Sequence, residues 1–265
     1  MATSQVESTN HSYISKHKRF WEIDLLRTVA IFGMLNFHTL ETLYFFGLYP
    51  TLLRSGVWWY IRVVNAGLFI FPAGVALTIS YSRRKSVSGL RLRGLKIFGL
   101  GMLITGLTWV IARDEYVRFG ILHFFGIAFL LAPFFIGFRY INLAVGAAVL
   151  AAGIYLSEHG IFVHVPWLLW LAPYPFSTMD YWPLVPCFGI FLLGMFCGKM
   201  LYPQGNRRFY IPEFSNPVAS ALMWPGRHPL LVYFGQYPVV LGILLAVYPD
   251  KILPYIKDAL SYLPF

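Results

Sequence analysis

The sequence predicts an all-α, polytopic transmembrane helix bundle of about seven spans with one short interfacial or re-entrant piece. Three observations predict it. The 265-residue chain is 58% hydrophobic and only 12% charged, where a soluble domain carries roughly 25% charged residues. Its apolar residues fall in long blocks near the ~20 residues that a helix needs to cross a bilayer. The remaining charge is lopsided, 21 Lys and Arg against 11 Asp and Glu for a net +10, and it collects between the blocks. These numbers exclude an ordinary cytosolic globule and a disordered chain. The basic surplus does not point to nucleic acid either, because it alternates along the chain as membrane topology requires.

Residues 1–18 read as a polar cytoplasmic tail without a signal-peptide pattern. One transmembrane domain, 19–248, follows, with apolar blocks at roughly 22–46, 57–81, 93–112, 119–137, 141–157, 181–201 and 229–248. The longest connection, 158–180, holds His164-Val165-Pro166-Trp167-Leu168-Leu169-Trp170. That run is Pro-bounded and too short to span, and Trp favours the headgroup level, so it reads as interfacial or re-entrant. Residues 249–265 mix apolar and charged side chains and read as a short extracytoplasmic surface helix. Pro72 with Gly74 is expected to bend the second span beside a cavity. Gly194 and Gly198 form a small-xxx-small pair that lets helices approach and permits a homo-oligomer without requiring one. Cys187 and Cys197 share one block but fall on different helix faces, so they read as two inert thiols. No metal-ligand spacing is present, and no metal is expected.

A cytoplasmic N-terminus puts Lys16, Lys18, Arg19, the Arg83–Lys96 group, Arg139, Lys199, Arg207, Arg208 and Arg227 inside. Arg54, Arg113, Arg118, Lys251 and Lys257 are left outside. The positive-inside rule therefore gives an integral, multi-pass protein, read as plasma-membrane, with N-terminus in and C-terminus out.

Ionisable residues inside spans cost about 2.5–3.5 kcal/mol each on insertion scales and mark function. The first span carries Asp24, Arg27, His38 and Glu41. At about 100° per residue they share one helix face, which must look at other helices or a water-filled cavity. Arg27 and His38 stand about 16 Å apart along that face. An Arg near the inner surface suits a phosphate or carboxylate, and a His deep in a span suits proton transfer. Glu41, one turn away, would orient the imidazole. On the outer side, Arg62, Asn65, Arg118, His123 and Asp180 open or follow the spans.

The stretch Trp21-Glu22-Ile23-Asp24-Leu25-Leu26-Arg27, followed by His38, resembles the opening helix of transmembrane acyltransferases such as the acyltransferase-3 families. Arg118-Phe119-Gly120-Ile121-Leu122-His123, Asp180-Tyr181-Trp182-Pro183-Leu184 and Gly226-Arg227-His228-Pro229-Leu230-Leu231-Val232-Tyr233 resemble the heparan-alpha-glucosaminide N-acetyltransferase catalytic-domain family. The similarity covers roughly residues 19–248 and rests on the order of the motifs rather than on any one of them. It implies acetyl-CoA bound from the cytoplasmic side and an acetyl group delivered to a sugar or glycan acceptor beyond the membrane. His38 matches the catalytic histidine, as general base or as transient acyl acceptor. The basic inner rim would hold the donor: Asp24, Arg27, Arg83, Arg84, Arg93, Lys96, Arg227 and His228. Arg62, Asn65, Arg118 and Asp180 would line the acceptor side, with His123 the second choice for acid–base work. Two departures stand out. Relatives often have His three residues after the last Tyr, where this chain has Gln236, and Thr28 replaces a usual Gly. A proton-coupled transporter or channel, or a non-catalytic membrane scaffold, would also use a polar stripe across the bilayer.

Overall fold

The computed structural model describes residues 19–50, 56–161, 177–214 and 216–261. Among these residues the chain is helical and contains no strand. The helices are α1 (Trp21–Phe45), α2 (Gly56–Arg84), α3 (Val87–Ile111), α4 (Ile121–Phe135), α5 (Tyr140–Glu158) and α6 (Leu184–Leu201). They continue as the short α7 (Pro217–Leu222) and α8 (Trp224–Arg227), then α9 (Pro229–Val247) and α10 (Pro249–Ser261). The run His164–Trp170 lies outside the described residues.

Among the described residues five helices, α2, α3, α5, α6 and α9, are long and apolar enough to cross a membrane, which fits an integral membrane protein. The expected count of seven is not confirmed. Helix α4 is apolar but has 15 residues, about 22 Å at 1.5 Å per residue. Helix α1 has 25 residues, but Asp24, Arg27, His38 and Glu41 interrupt its apolar run. The short start of α4 has a local cause. Phe119 bridges to Tyr181, the Trp182 N–H donates to the Phe119 carbonyl (2.9 Å), and the Met179 N–H to that of Glu115 (2.7 Å). The same pairing holds α6 back to Leu184, after Pro183. Helix α3 starts earlier than its apolar block because the Ser86 hydroxyl accepts the Gly89 N–H (3.0 Å) and caps an extra polar turn.

Helices α2 and α6 form the centre, packing most densely on each other, while α5 packs on α6 and α3 on α4. Nearly half of the apolar windows of α2 and α6 is buried (44% and 50%), against 17% for α3, α5 and α9. The outer helices expose Leu103, Leu107, Ile154, Val239 and Ile243, a surface that lipid would cover. Small residues allow the central contact: a Cβ on Gly74 would strike the Phe191 carbonyl, and one on Gly194 the Phe71 carbonyl. Phe124, Phe191, Ile70, Leu77 and Met195 fill the core around this pair. Helix α10 turns back so that Ile252 joins Phe46 and Leu244 in a separate cluster. Both cysteines are free.

The bundle has two ends. At one, Glu22 of α1 accepts from Arg207 Nε (2.9 Å), Arg207 Nη2 (2.7 Å) and the Tyr202 hydroxyl (2.8 Å). These bonds raise Arg207 above its ordinary value, and burial together with the bond to Glu22 pushes the Tyr202 phenol up. At this Arg27 end the start of α1 meets the finish of α2 and α6 and the start of α9. At the opposite His38 end, the starts of α2 and α4 come together with Asp180.

Candidate functional site

A cavity of about 480 Å³ runs between α1, α2, α3, α4 and α9. Helix α1 lines it with Arg27, Met34, Phe37, His38 and Glu41, residues that fall on one face at 3.6 residues per turn. Helix α2 adds Arg62, Asn65 and the apolar side chains from Ala66 to Leu77, and α3 adds Arg93. Arg227, His228 and Tyr233 come from α8 and α9, and Asp180 and Trp182 from the segment before α6. One continuous space thus joins a cationic end to a mixed, titratable end through an apolar middle.

The cationic end is built by close backbone contact. Thr28 Oγ1 donates to the Asp24 carbonyl (3.0 Å) and accepts the Gly226 N–H (3.1 Å). A Cβ on Gly226 would strike that same carbonyl, so glycine is what lets α8 lie on α1. Arg227, the next residue, donates from Nε to Asp24 Oδ2 (3.2 Å) and from Nη1 to the Ser220 hydroxyl (3.0 Å). Asp24 therefore pairs with Arg227 and sits outside the cavity lining. Arg93 lies over the Phe129 ring at 5.0 Å. Among the described residues, neither Arg27 nor Arg93 takes an ion pair, and Asp24, the carboxylate nearest Arg27 on α1, is paired with Arg227.

At the other end His38 Nδ1 lies 2.8 Å from Gln236 Nε2. The Tyr237 ring stacks on the imidazole at 5.4 Å, and Tyr233 meets it edge-on at 6.2 Å. The Gln236 carboxamide oxygen is buried without a hydrogen bond. Glu41 lines the cavity one turn beyond. The Arg62 guanidinium lies between two rings, 5.7 Å from Phe37 and 5.0 Å from Trp182, and its Nη2 is 3.6 Å from Asp180 Oδ1. Asp180 Oδ2 accepts the Ile121 N–H at 2.8 Å, so the carboxylate also caps α4. Gly33 of α1 leaves room for the Asn65 carboxamide, which a Cβ there would strike.

Nine of the sequence-derived site residues meet in this cavity: Arg27, His38, Glu41, Arg62, Asn65, Arg93, Asp180, Arg227 and His228. Five others, besides Asp24, do not line it. Arg83 donates twice to the Gly205 carbonyl (3.0 and 2.7 Å) and lies over the Phe20 ring. Arg84 and Lys96 stand off the cavity. Arg118 lies over the Tyr116 ring. His123 is buried with both nitrogens engaged, Nδ1 accepting the Gly120 N–H (3.2 Å) and Nε2 facing Thr105 Oγ1 (3.2 Å). The Thr105 hydroxyl in turn donates to the Val117 carbonyl (2.7 Å). This closed chain makes His123 a neutral cap of α4 rather than a cavity acid or base. Sequence reasoning missed Trp182, Tyr233 and Tyr237 as neighbours of the charged groups, and it noted Gln236 only as a departure. The aromatic run Tyr233, Phe234 and Tyr237 around Gln236, one helical turn long, was the available signal.

Comparison with known proteins supplies a family. The family model described as "Heparan-alpha-glucosaminide N-acetyltransferase, catalytic" matches residues 19–238. No curated protein matches, and no solved structure does.

Proposed function

The chain belongs to the heparan-alpha-glucosaminide N-acetyltransferase catalytic family, an acetyltransferase type, and from that premise we propose that it moves an acetyl group from acetyl-CoA to a sugar amine or hydroxyl. One observation carries this reading: a single cavity has Arg27, Arg93, Arg227 and His228 at one end and His38 at the other. The donor set fits a polyanion, since Arg27 and Arg93 take no ion pair among the described residues and phosphate favours such guanidinium groups. These cations would hold the nucleotide phosphates on the cytoplasmic side. Acetyl-CoA, when bound, supplies a thioester, an acetyl group activated towards an amine or hydroxyl. The apolar middle, with Phe69, Ala73, Leu77 and Phe129, would exclude water from it.

His38 is the group that would take the acceptor's proton, at Nε2. That role depends on which ring nitrogen carries the resting proton, and the neighbour of Nδ1 decides it. With the Gln236 amide nitrogen towards Nδ1, the imidazole proton sits on Nε2. Turning the carboxamide over gives Nδ1–H an acceptor and leaves Nε2 with a free lone pair. The carboxamide can serve either tautomer, and in the turned orientation Gln236 would be a positioning residue that holds His38 in its basic form. Arg62, stacked between Phe37 and Trp182, would orient the acceptor.

The test uses purified protein in detergent with radiolabelled acetyl-CoA and amino-sugar acceptors. CoA should bind saturably and be released with label transferred to the sugar. His38→Ala should lower turnover by about 10²–10⁴-fold, the span of a lost general base, with CoA binding retained. Arg27→Gln should weaken CoA binding instead. No CoA binding by the unaltered protein sinks the reading.

A further inference from the structure

A second cavity, of about 1030 Å³, opens at the Arg27 end on the other side of α2 and shares no lining residue with the first. Its cations are Lys85, from the α2–α3 turn, Arg139, from the α4–α5 turn, and Lys199, from α6. Thr78, Tyr81, Ser82, Tyr202 and Gln204 add hydroxyls and an amide, and no acidic side chain lines it. Among the described residues none of the three cations takes an ion pair. Three positive charges from three separate parts of the chain therefore line one space without a counter-charge, and Arg139 also donates to the Tyr140 hydroxyl (2.9 Å) and lies over its ring. An anion entering this space would meet all three charges at once.

The backbone gives a second, independent sign. Among the described residues, two other than glycine adopt the left-handed region, Lys85 (φ 47°) and Gln204 (φ 53°), and both line this cavity. Such conformations are uncommon outside glycine, and they gather where a ligand is clamped. At the end of α2, where helices ordinarily take glycine, the chain spends a lysine instead. The frame around them is fixed: the Lys85 N–H donates to the Tyr81 carbonyl (2.7 Å), and Arg83 ties the Gly205 carbonyl to α2 with two bonds.

Size and surroundings identify the anion. The volume lies at the upper end of the ~300–1,000 Å³ typical of organic ligand pockets, far more than a bare phosphate ion fills. Beside the cations in sequence, Phe138, Tyr140 and Leu201 are exposed, the apolar and aromatic rim of a membrane interface. Basic pockets between the ends of transmembrane helices hold phospholipid headgroups. We propose that Lys85, Arg139 and Lys199 form a phosphate site, separate from the acetyl-transfer cavity, that holds the headgroup of an anionic phospholipid.

The experiment takes the full chain in neutral detergent and follows its unfolding temperature while a lipid is titrated in. Phosphatidylinositol 4-phosphate should raise it saturably, phosphatidylcholine should not, and inorganic phosphate at equal concentration should act far more weakly. In the Lys85→Gln/Lys199→Gln double variant the apparent affinity for the anionic lipid should fall roughly 25-fold, about fivefold for each cation. Arg139→Gln alone serves if the double variant does not fold. Acetyl-CoA binding should be unchanged in both. Equal stabilisation by inorganic phosphate overturns the lipid as the occupant. No shift, or a shift that survives the substitutions, overturns the site, and a parallel loss of acetyl-CoA binding assigns the cations to the donor cavity instead.

Discussion

His38 and Gln236 stand 198 positions apart in sequence, yet their side chains meet in a hydrogen bond at the group proposed for proton transfer. A buried polar atom left without a partner costs about 1–3 kcal/mol. Gln236→Leu removes the partner of Nδ1, and turnover should fall at least tenfold while acetyl-CoA affinity stays within twofold. Gln236→Glu offers only acceptors, holds the proton on Nδ1, and should retain far more activity than Gln236→Leu. A structural defect alone would lower both variants together, so the comparison of their turnover rates separates positioning from packing. At this scale the sequence exposed the charged members of the site, because ionisable residues in apolar blocks are conspicuous. It did not show their partners. Asp24 and Arg27 are neighbours on a helix, but Asp24 turns to Arg227. His123 looks like acid–base equipment in a row of letters, and only the positions of Gly120 and Thr105 reveal a cap.

Among the elements, the short α8 has the largest effect for its size. Four residues long, it hangs on Thr28 and presents Arg227 to Asp24. Gly226→Ala should force α8 off α1, because the added methyl would meet the Asp24 carbonyl. The expected result is a loss of acetyl-CoA affinity of tenfold or more with turnover at saturation largely kept, measured by direct binding and by a rate–concentration curve. The long helices were legible from block length and polarity, and so was α10. The starts of α4 and α6 were not, since the pairing of Phe119 with Tyr181 depends on a meeting of distant segments. Helices α7 and α8 were invisible because they are too short to carry a period; Asn216 caps α7, and α1 supplies the partner groups of α8.

For the whole molecule, the cavity draws its cations from two packing units, the α1–α8 contact and the α3–α4 pair. Arg27 belongs to α1, Arg93 to the α3–α4 pair and Arg227 to α8. A polyanion bridging them would tie together parts that α2 and α6 otherwise join. Binding to the folded state alone stabilises it by about 2.7 kcal/mol at one hundred times Kd. Acetyl-CoA at that level should raise the unfolding temperature by a few degrees, and the rise should vanish in Arg27→Gln/Arg93→Gln. The all-α architecture agrees with what the apolar blocks implied, and family membership over 19–238 with what the order of the motifs implied. The count of seven spans is not confirmed, since polar residues interrupt α1 and α4 has only 15 residues.

The Thr28–Gly226 and His38–Gln236 contacts share a consequence for assembly. Each joins the first long helix to segments made almost two hundred residues later. During synthesis α1 is made long before α8 and α9, and the part of its polar face around His38 is closed over only when α9 arrives. A nascent chain halted before Pro229 would expose that stripe to its surroundings, so the last long helix acts as the keystone of the bundle. The residues that would make the protein an enzyme are also the ones that make an incomplete copy of it recognisable as unfinished.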